Sequence, residues 1–213
     1  MPAAWSPTER YLDRSRLRRF ANTQGIRGYD ELLRWATDDL ERFWRAVDRD
    51  LGLVWTAPYS RAMDVSKGLP WTTWWSDGRM NYVGTALRPD RDQDRLALIS
   101  EREDGRVDRR TYGELRALVA RFAAGLRAIG VRKGDRVAVF LPMGIECVVA
   151  VLALGALGAI YTPIFSGYGA EAIAGRLRDC EASVVICADG FTRRGSVVTM
   201  KETRTRQPTA PRP

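Results

Sequence analysis

The sequence predicts an α/β fold: an N-terminal helical appendage followed by the first βαβαβ part of a large domain, with an incomplete sheet. Three observations predict it. Apolar residues recur at helical spacing between 29 and 51. Between 136 and 188 the chain alternates strand, helix, strand, helix, strand with short connections, which implies a parallel sheet covered on both faces. These three strands make only a partial sheet, whose remaining edges and faces have no cover encoded beside them. With 213 residues, 45% of them hydrophobic, and seven tryptophans, the chain can bury a real core.

Residues 1–28 are arginine-rich and read as a mobile basic start. In "YDELLRWATDDLERFWRAVDRDLGLVW", Leu32, Leu33, Leu40, Phe43, Trp44, Val47 and Leu51 fall at helical spacing, and Thr37 before Asp38 and Asp39 signals a restart, so two short helices are expected. "GLPWTTWWSDGRMNY" follows, with Trp71, Trp74, Trp75 and an Asp77-Gly78 turn. It reads as an aromatic-rich loop region that packs, rather than as a stacking platform for sugars or bases.

Leu96 to Ile99, a turn at Asp104-Gly105 and Val107 to Thr111 read as a hairpin. "TYGELRALVARFAAGLRAIG" is the clearest helix. Thr111 and Glu114 form a capping box, Leu115, Leu118, Val119, Phe122, Leu126 and Ile129 make one face, and Gly130 ends it. Strand 136–142, an apolar helix from Ile145 to about Leu157, strand 159–165, helix 170–180 and strand 183–188 complete the pattern, with right-handed crossovers expected.

A net charge of +8 raises the question of nucleic acid. Its distribution argues against such a partner. Residues 1–28 carry six arginines against two acids, residues 193–213 carry six basic residues against Glu202, and the middle is close to neutral, so no folded face is predicted to be basic. The chain has no histidine, and Cys147, Cys180 and Cys187 lack pairing or ligand spacing, so neither a His/Cys metal site nor a histidine-activated nucleophile is expected. The longest apolar stretch, Cys147 to Tyr161, is about 15 residues, short of the roughly 20 that span a bilayer, and no secretory signal is evident. A reduced, cytoplasmic setting without a membrane partner is expected.

In open parallel sheets ligands gather at loops beyond the carboxyl ends of strands. Three loops qualify: Pro142-Met143-Gly144, Ser166-Gly167-Tyr168-Gly169, and Asp189 to Gly195. Gly167-x-Gly169 offers backbone N–H groups to a phosphate, or serves a tight strand-to-helix turn; the third glycine of a dinucleotide fingerprint is missing. Arg193 and Arg194 form either a bidentate phosphate clamp or two ordinary solvated arginines. "GSVVTMK" lacks the core of a phosphate loop, and Glu114, Asp135 and Glu146 read as a cap, a turn residue and a helix-start charge.

These segments together resemble one family. "GLPWTTWWSDGRMNYVGTAL" is similar to the entry segment of AMP-forming acetyl-CoA and propionyl-CoA synthetases. The run from "TYGELRALVARFAAGLRAIGVRKGDRVAVFLP" to "FSGYGAEAIAGRLRDCEASVVICADGFTRRG" resembles the start of their large adenylating domain. The resemblance covers residues 29–202. It implies an acetyl-CoA-synthetase-type helical and aromatic segment at 29–90 and the start of an adenylate-forming domain, truncated, at 91–202; composition sets apart the basic start at 1–28 and an Arg-, Pro- and Thr-rich tail at 203–213, which reads as unstructured and unlike the family.

The family makes an acyl-adenylate and pyrophosphate from a carboxylic acid and Mg-ATP, and the thiol of coenzyme A then releases AMP and acyl-CoA. Carried over by position, the pocket for the nucleotide end of coenzyme A falls on Phe165, Ser166, Gly167 and Arg193. Arg194 is on offer beside them, because Ser196 stands where a second arginine is common in acetyl-CoA synthetases. The resemblance assigns this chain no catalytic residue and no metal ligand, since the family's phosphate loop, acyl pocket and catalytic lysine lie further along. The expectation is an N-terminal fragment of a short-chain acyl-CoA synthetase that makes at most coenzyme A contacts and does not adenylate alone. A noncatalytic coenzyme A-binding or protein-interaction module is the alternative, with small-molecule substrates, or with self-association or another chain covering the sheet edge.

Overall fold

Thr8 and Ser15 each accept a hydrogen bond from an N–H of the turn that follows, and the arginine-rich start is helical: α1 (Glu9–Arg14) and α2 (Arg16–Thr23). The structure is a computed structural model that describes residues 5–90 and 92–201, so the segment 203–213 lies outside the described residues. The chain divides into two units, Met1–Met80 and Asn81–Pro213.

In the first unit, residues 9–26 of the segment expected to be a mobile start are largely helical and packed. Phe20, Ala21 and Ile26 are buried in one core with Leu32 and Ala46, between α3 (Tyr29–Asp38) and α4 (Leu40–Leu51). Phe20, Trp35 and Phe43 meet edge to face, with ring centroids 6.1–6.2 Å apart. The physical reason is that Phe20 and Ile26 supply an apolar anchor that the count of arginines hides. The guanidinium groups stay outside, where Arg18 meets Glu9 at 2.7 Å and Arg16 meets Asp50 at 3.3 Å. The break between α3 and α4 falls at Asp39, which accepts from the Arg42 N–H at 2.9 Å. Thr37 instead donates its hydroxyl back to the Leu33 carbonyl.

The aromatic segment is more ordered than a loop. β1 (Trp55–Ala57), β2 (Arg61–Asp64), β3 (Thr73–Ser76) and β4 (Arg79–Met80) form two antiparallel ribbons, β1 with β4 and β2 with β3. Trp75 packs on Trp55 and Tyr59 with centroids 5.6 and 4.9 Å away, and Trp74 packs on Trp44 at 5.4 Å. Gly78 is needed there, because a Cβ would come within 2.8 Å of the Trp55 ring.

The second unit begins with α5 (Tyr82–Ala86), capped by Asn81, whose amide also donates to the Gly155 carbonyl at 2.8 Å. β5 (Leu96–Glu101) and β6 (Val107–Thr111) make the expected hairpin. α6 (Tyr112–Ala128) starts with the expected capping box: the Thr111 N–H donates to Glu114 at 2.8 Å, and the Glu114 N–H donates to Thr111 at 3.3 Å. Then come β7 (Arg136–Phe140), α7 (Ile145–Leu157), β8 (Ile160–Pro163), α8 (Ala170–Asp179) and β9 (Val184–Cys187).

The three parallel strands lie in the order β8-β7-β9, so the first strand is central. β7 reads Val-Ala-Val-Phe because it is buried on both faces. Val137 and Val139 join the core built with α6 and α7, while Ala138 and Phe140 join a second core with Ile173 of α8. The chain steps from β7 to β8 on one side and then across to β9 on the other. Two crossovers of one hand must therefore put α7 and α8 on opposite faces, as observed. Full burial of a side chain such as Phe140, 1% exposed, contributes roughly 1.5–3 kcal/mol.

The stretch after β9, expected to be a loop through Gly195, is a second hairpin of β10 (Gly190–Arg193) and β11 (Ser196–Thr199). Met200 follows it into the core beside Phe140, Ile164 and Ile173. Among the described residues no helix is long and apolar enough to cross a membrane.

Candidate functional site

The loops after β7 and β8 leave toward opposite faces of the sheet, the topology that opens a crevice at the strands' carboxyl ends. An open groove of about 1310 Å³ lies at this end of the second unit. Its walls come from the β5–β6 hairpin, α6, Pro142-Met143-Gly144, the start of α7, Phe165-Ser166, and the chain from Cys187 to Arg193. All three loops singled out in the sequence contribute to it.

Phe165 lines the groove and is 61% exposed. An exposed ring of this size offers a flat apolar surface on which another planar group can stack. It meets Tyr168 at 5.8 Å, edge to face, and the Arg176 guanidinium lies 4.2 Å from the Tyr168 ring centroid, a cation–π contact that fixes this ring. Gly167 explains half of the glycine pair. A Cβ there would come within 3.1 Å of the Phe165 ring and 3.4 Å of Arg193 Nη1, so its role is close approach. Gly169 has nothing within 4 Å of its Cβ position and an ordinary φ of −74°, and it begins α8 without a side-chain cap.

The structure thus brings Phe165, Ser166, Gly167 and Arg193 together, and treats the two arginines differently. Arg193 ends β10, opposite Ser196, and its guanidinium reaches Gly167. Arg194 and Gly195 are the two residues of the tight turn joining β10 to β11, with φ of 52° and 72°. Their successive N–H groups donate to one carboxylate, Arg194 to Glu103 Oε1 at 2.9 Å and Gly195 to Glu103 Oε2 at 3.3 Å.

Glu103 and Arg176 were not legible as site residues. Glu103 lies 91 positions from its partner, and Arg176 sits inside helix 170–180, where nothing in the sequence set it apart. Tyr168 stood inside the Ser166-Gly167-Tyr168-Gly169 loop, and its place eight residues before Arg176, two i+4 steps, was the available signal. Glu114 is the cap it was expected to be, and Asp135 is a turn residue that accepts from the Arg132 N–H at 2.7 Å. Glu146 sits in the first turn of α7 and lines the groove. Chemically, the arrangement offers a flat apolar face beside a planar cation, which suits an aromatic base that carries phosphate. Among the described residues no set of three His, Cys, Asp or Glu side chains is grouped to hold a metal ion.

Comparison with known proteins finds relatives of both units. A family model described as "AMP-binding enzyme" matches residues 86–211, past the boundary at 202 drawn from the sequence, and one described as "Acetyl-coenzyme A synthetase N-terminus" matches residues 29–86. The chain is 39% identical over 200 residues to the acetyl-coenzyme A synthetase of Chromobacterium violaceum, covering 92% of this chain and 30% of that protein. It is 40% identical over 184 residues to the acetyl-coenzyme A synthetase of Ralstonia nicotianae, covering 85% of this chain and 28% of that one. The solved acetoacetyl-CoA synthetase from Streptomyces lividans superimposes with a TM-score of 0.86 at 32% identity, over 95% of this chain and 32% of its own. The chain therefore spans about 30% of the length of the curated relatives it matches. A match over more than half the chain and a fold shared at 32% identity leave one conclusion: the chain belongs to the family of AMP-binding enzymes, in the branch of the acyl-CoA synthetases.

Proposed function

We propose that this chain is the N-terminal part of a short-chain acyl-CoA synthetase, which joins a carboxylate to coenzyme A at the expense of Mg-ATP, releasing AMP and pyrophosphate. Within that reaction its own residues serve the nucleotide end of coenzyme A. Phe165 stacks on the adenine, Gly167 lets the ligand approach, and Arg193 neutralises phosphate, with Ser166 on the same loop and Arg194 holding the turn behind them. The observation that carries this reading is the Arg193 guanidinium, whose Nη1 lies 3.4 Å from the Cβ position of Gly167 beside the exposed Phe165 ring. An adenine fits the flat exposed ring, and a phosphate fits the planar cation next to it.

The chain does not adenylate alone. Adenylation needs fixed cationic and backbone donors around the reacting phosphate. The groove supplies Arg193 at one edge, while the sequence offers no Gly-rich phosphate loop and the chain matches about 30% of its relatives' length. The test pairs calorimetry with coenzyme A against ATP–pyrophosphate exchange with acetate, propionate and butyrate. Heat of binding without exchange is expected. Robust exchange by the pure chain overturns the restricted role, and no heat from a folded chain overturns the pocket.

A second reading, a noncatalytic coenzyme A-binding or protein-interaction module, is favoured by the sheet. Among the described residues β8 and β9 each keep one edge without a partner strand, a template for a second copy or another chain. Co-purification of a stoichiometric polypeptide that blocks coenzyme A binding supports this reading over the first.

A further inference from the structure

The tips of the two hairpins meet through a single carboxylate. The β5–β6 tip is internally braced: the Arg102 N–H donates to the Arg106 carbonyl at 2.9 Å, the Arg106 N–H donates to Asp104 at 3.0 Å, and Arg102 pairs with Asp108 at 3.0 Å across the ribbon. This tip presents Glu103 to the β10–β11 turn. Both Glu103 oxygens are used, one on the Arg194 N–H and one on the Gly195 N–H. Two successive N–H groups aimed at one anion make a matched acceptor and donor pair, and a two-residue turn with both φ values positive is what points them the same way. Arg193 is the residue immediately before that turn, and its guanidinium is the cation against Gly167.

From this we infer that Glu103 is a positioning residue for Arg193. Its carboxylate holds the Arg194-Gly195 turn and so fixes the guanidinium where a phosphorylated adenosine lies. The inference rests on the coenzyme A reading given above. Glu103 lines the groove, but both its oxygens are engaged with the turn, so its role runs through Arg193. It acts by removing the freedom of an exposed hairpin tip that otherwise has to be ordered on binding. Glutamine is the discriminating substitution, since its amide keeps one acceptor and turns an NH₂ donor toward the second N–H.

The experiment titrates the full chain, its Glu103→Gln, Glu103→Asp and Arg193→Ala variants and the Glu103→Gln/Arg193→Ala double variant with coenzyme A, adenosine 3′,5′-bisphosphate and pantetheine. Amide exchange at Arg194 and Gly195 is followed in parallel. Glu103→Gln is expected to weaken the two nucleotides roughly tenfold, about one charge-assisted hydrogen bond, and to leave pantetheine unchanged. It is expected to speed exchange at both turn amides, and to add nothing once Arg193 is alanine. Additive losses in the double variant, or equal losses with pantetheine, assign Glu103 a general structural role and overturn the inference. Unchanged nucleotide affinity with a loosened turn also overturns it while leaving the ligand reading intact. Failure of the wild-type chain to bind either nucleotide overturns the ligand reading itself, and the positioning role with it.

Discussion

Tyr59 donates its phenolic hydrogen to the buried carboxylate of Asp48 at 2.7 Å, and Asp48 takes a second bond from Trp55 Nε1 at 3.0 Å. Burial and then this hydrogen bond push the Tyr59 hydroxyl above its ordinary 10.0. A group whose pKa is raised on folding stabilises the fold fully below its unfolded value and loses that contribution as pH rises through the folded value. The chain is therefore expected to keep this contribution at neutral pH and to lose it above about pH 10. Urea midpoints measured against pH should show the alkaline decline in the wild type and a flatter profile in Tyr59→Phe. An equally steep decline in both places the alkaline loss elsewhere.

The same carboxylate predicts a larger effect on removal. Asp48→Ala leaves a ring N–H and a hydroxyl without their acceptor inside the aromatic cluster of the first unit. A loss of about 2–4 kcal/mol is expected, several times that of a surface substitution. Chemical denaturation followed by tryptophan fluorescence reads it directly, because Trp55 and Trp75 report on this cluster. A change under about 0.5 kcal/mol would mean the two donors find water at no cost.

How far these features were legible follows from where their causes lie along the chain. The capping box at Thr111 and Glu114 and the run Val-Ala-Val-Phe in β7 were readable because cause and effect sit within a few residues of each other. The aromatic ribbons were not, since Trp75 adopts a positive φ, which a bulky residue disfavours, and the rings it packs on, Trp55 and Tyr59, lie at some distance along the chain. The β10–β11 hairpin was masked by its arginines, which read as a clamp or as solvated charges in a loop, whereas the signals that mattered were glycines. A Cβ on Gly190 would meet the Val198 carbonyl oxygen at 2.6 Å, and Gly195 takes φ of 72° in the turn. Glu103 carries no local signal at all.

Gly155 gives a prediction that runs against helix propensity. Alanine in the middle of a helix ordinarily gains about 1 kcal/mol over glycine. In α7, however, a Cβ at this position would lie 2.6 Å from the Tyr82 hydroxyl and 2.8 Å from its ring. Gly155→Ala is therefore expected to destabilise the chain by about 1–3 kcal/mol, the range for overpacking. Tyr82→Ala should turn the same substitution from unfavourable to favourable, which thermal melts of the four-member cycle will show. A stabilised Gly155→Ala single variant overturns the clash.

The two adjacent arginines should separate in function. Arg193→Ala removes the guanidinium beside Gly167 and is expected to weaken coenzyme A by about 10- to 100-fold, the loss of one or two charge-assisted bonds. Arg193→Lys should recover only part of it, because a point charge does not reproduce a planar two-donor fork. Arg194 contributes its backbone N–H to Glu103, and alanine retains that group. Its side chain is therefore dispensable, while its φ of 52° asks for glycine or asparagine. Arg194→Gly should bind at least as well as Arg194→Ala, and both should stay within about threefold of wild type after allowance for one unit of charge at low salt. Calorimetric titration at two salt concentrations separates the cases. The loss at Arg193 should persist at high salt and the small loss at Arg194 should vanish, because only the first is a contact and the second is a field.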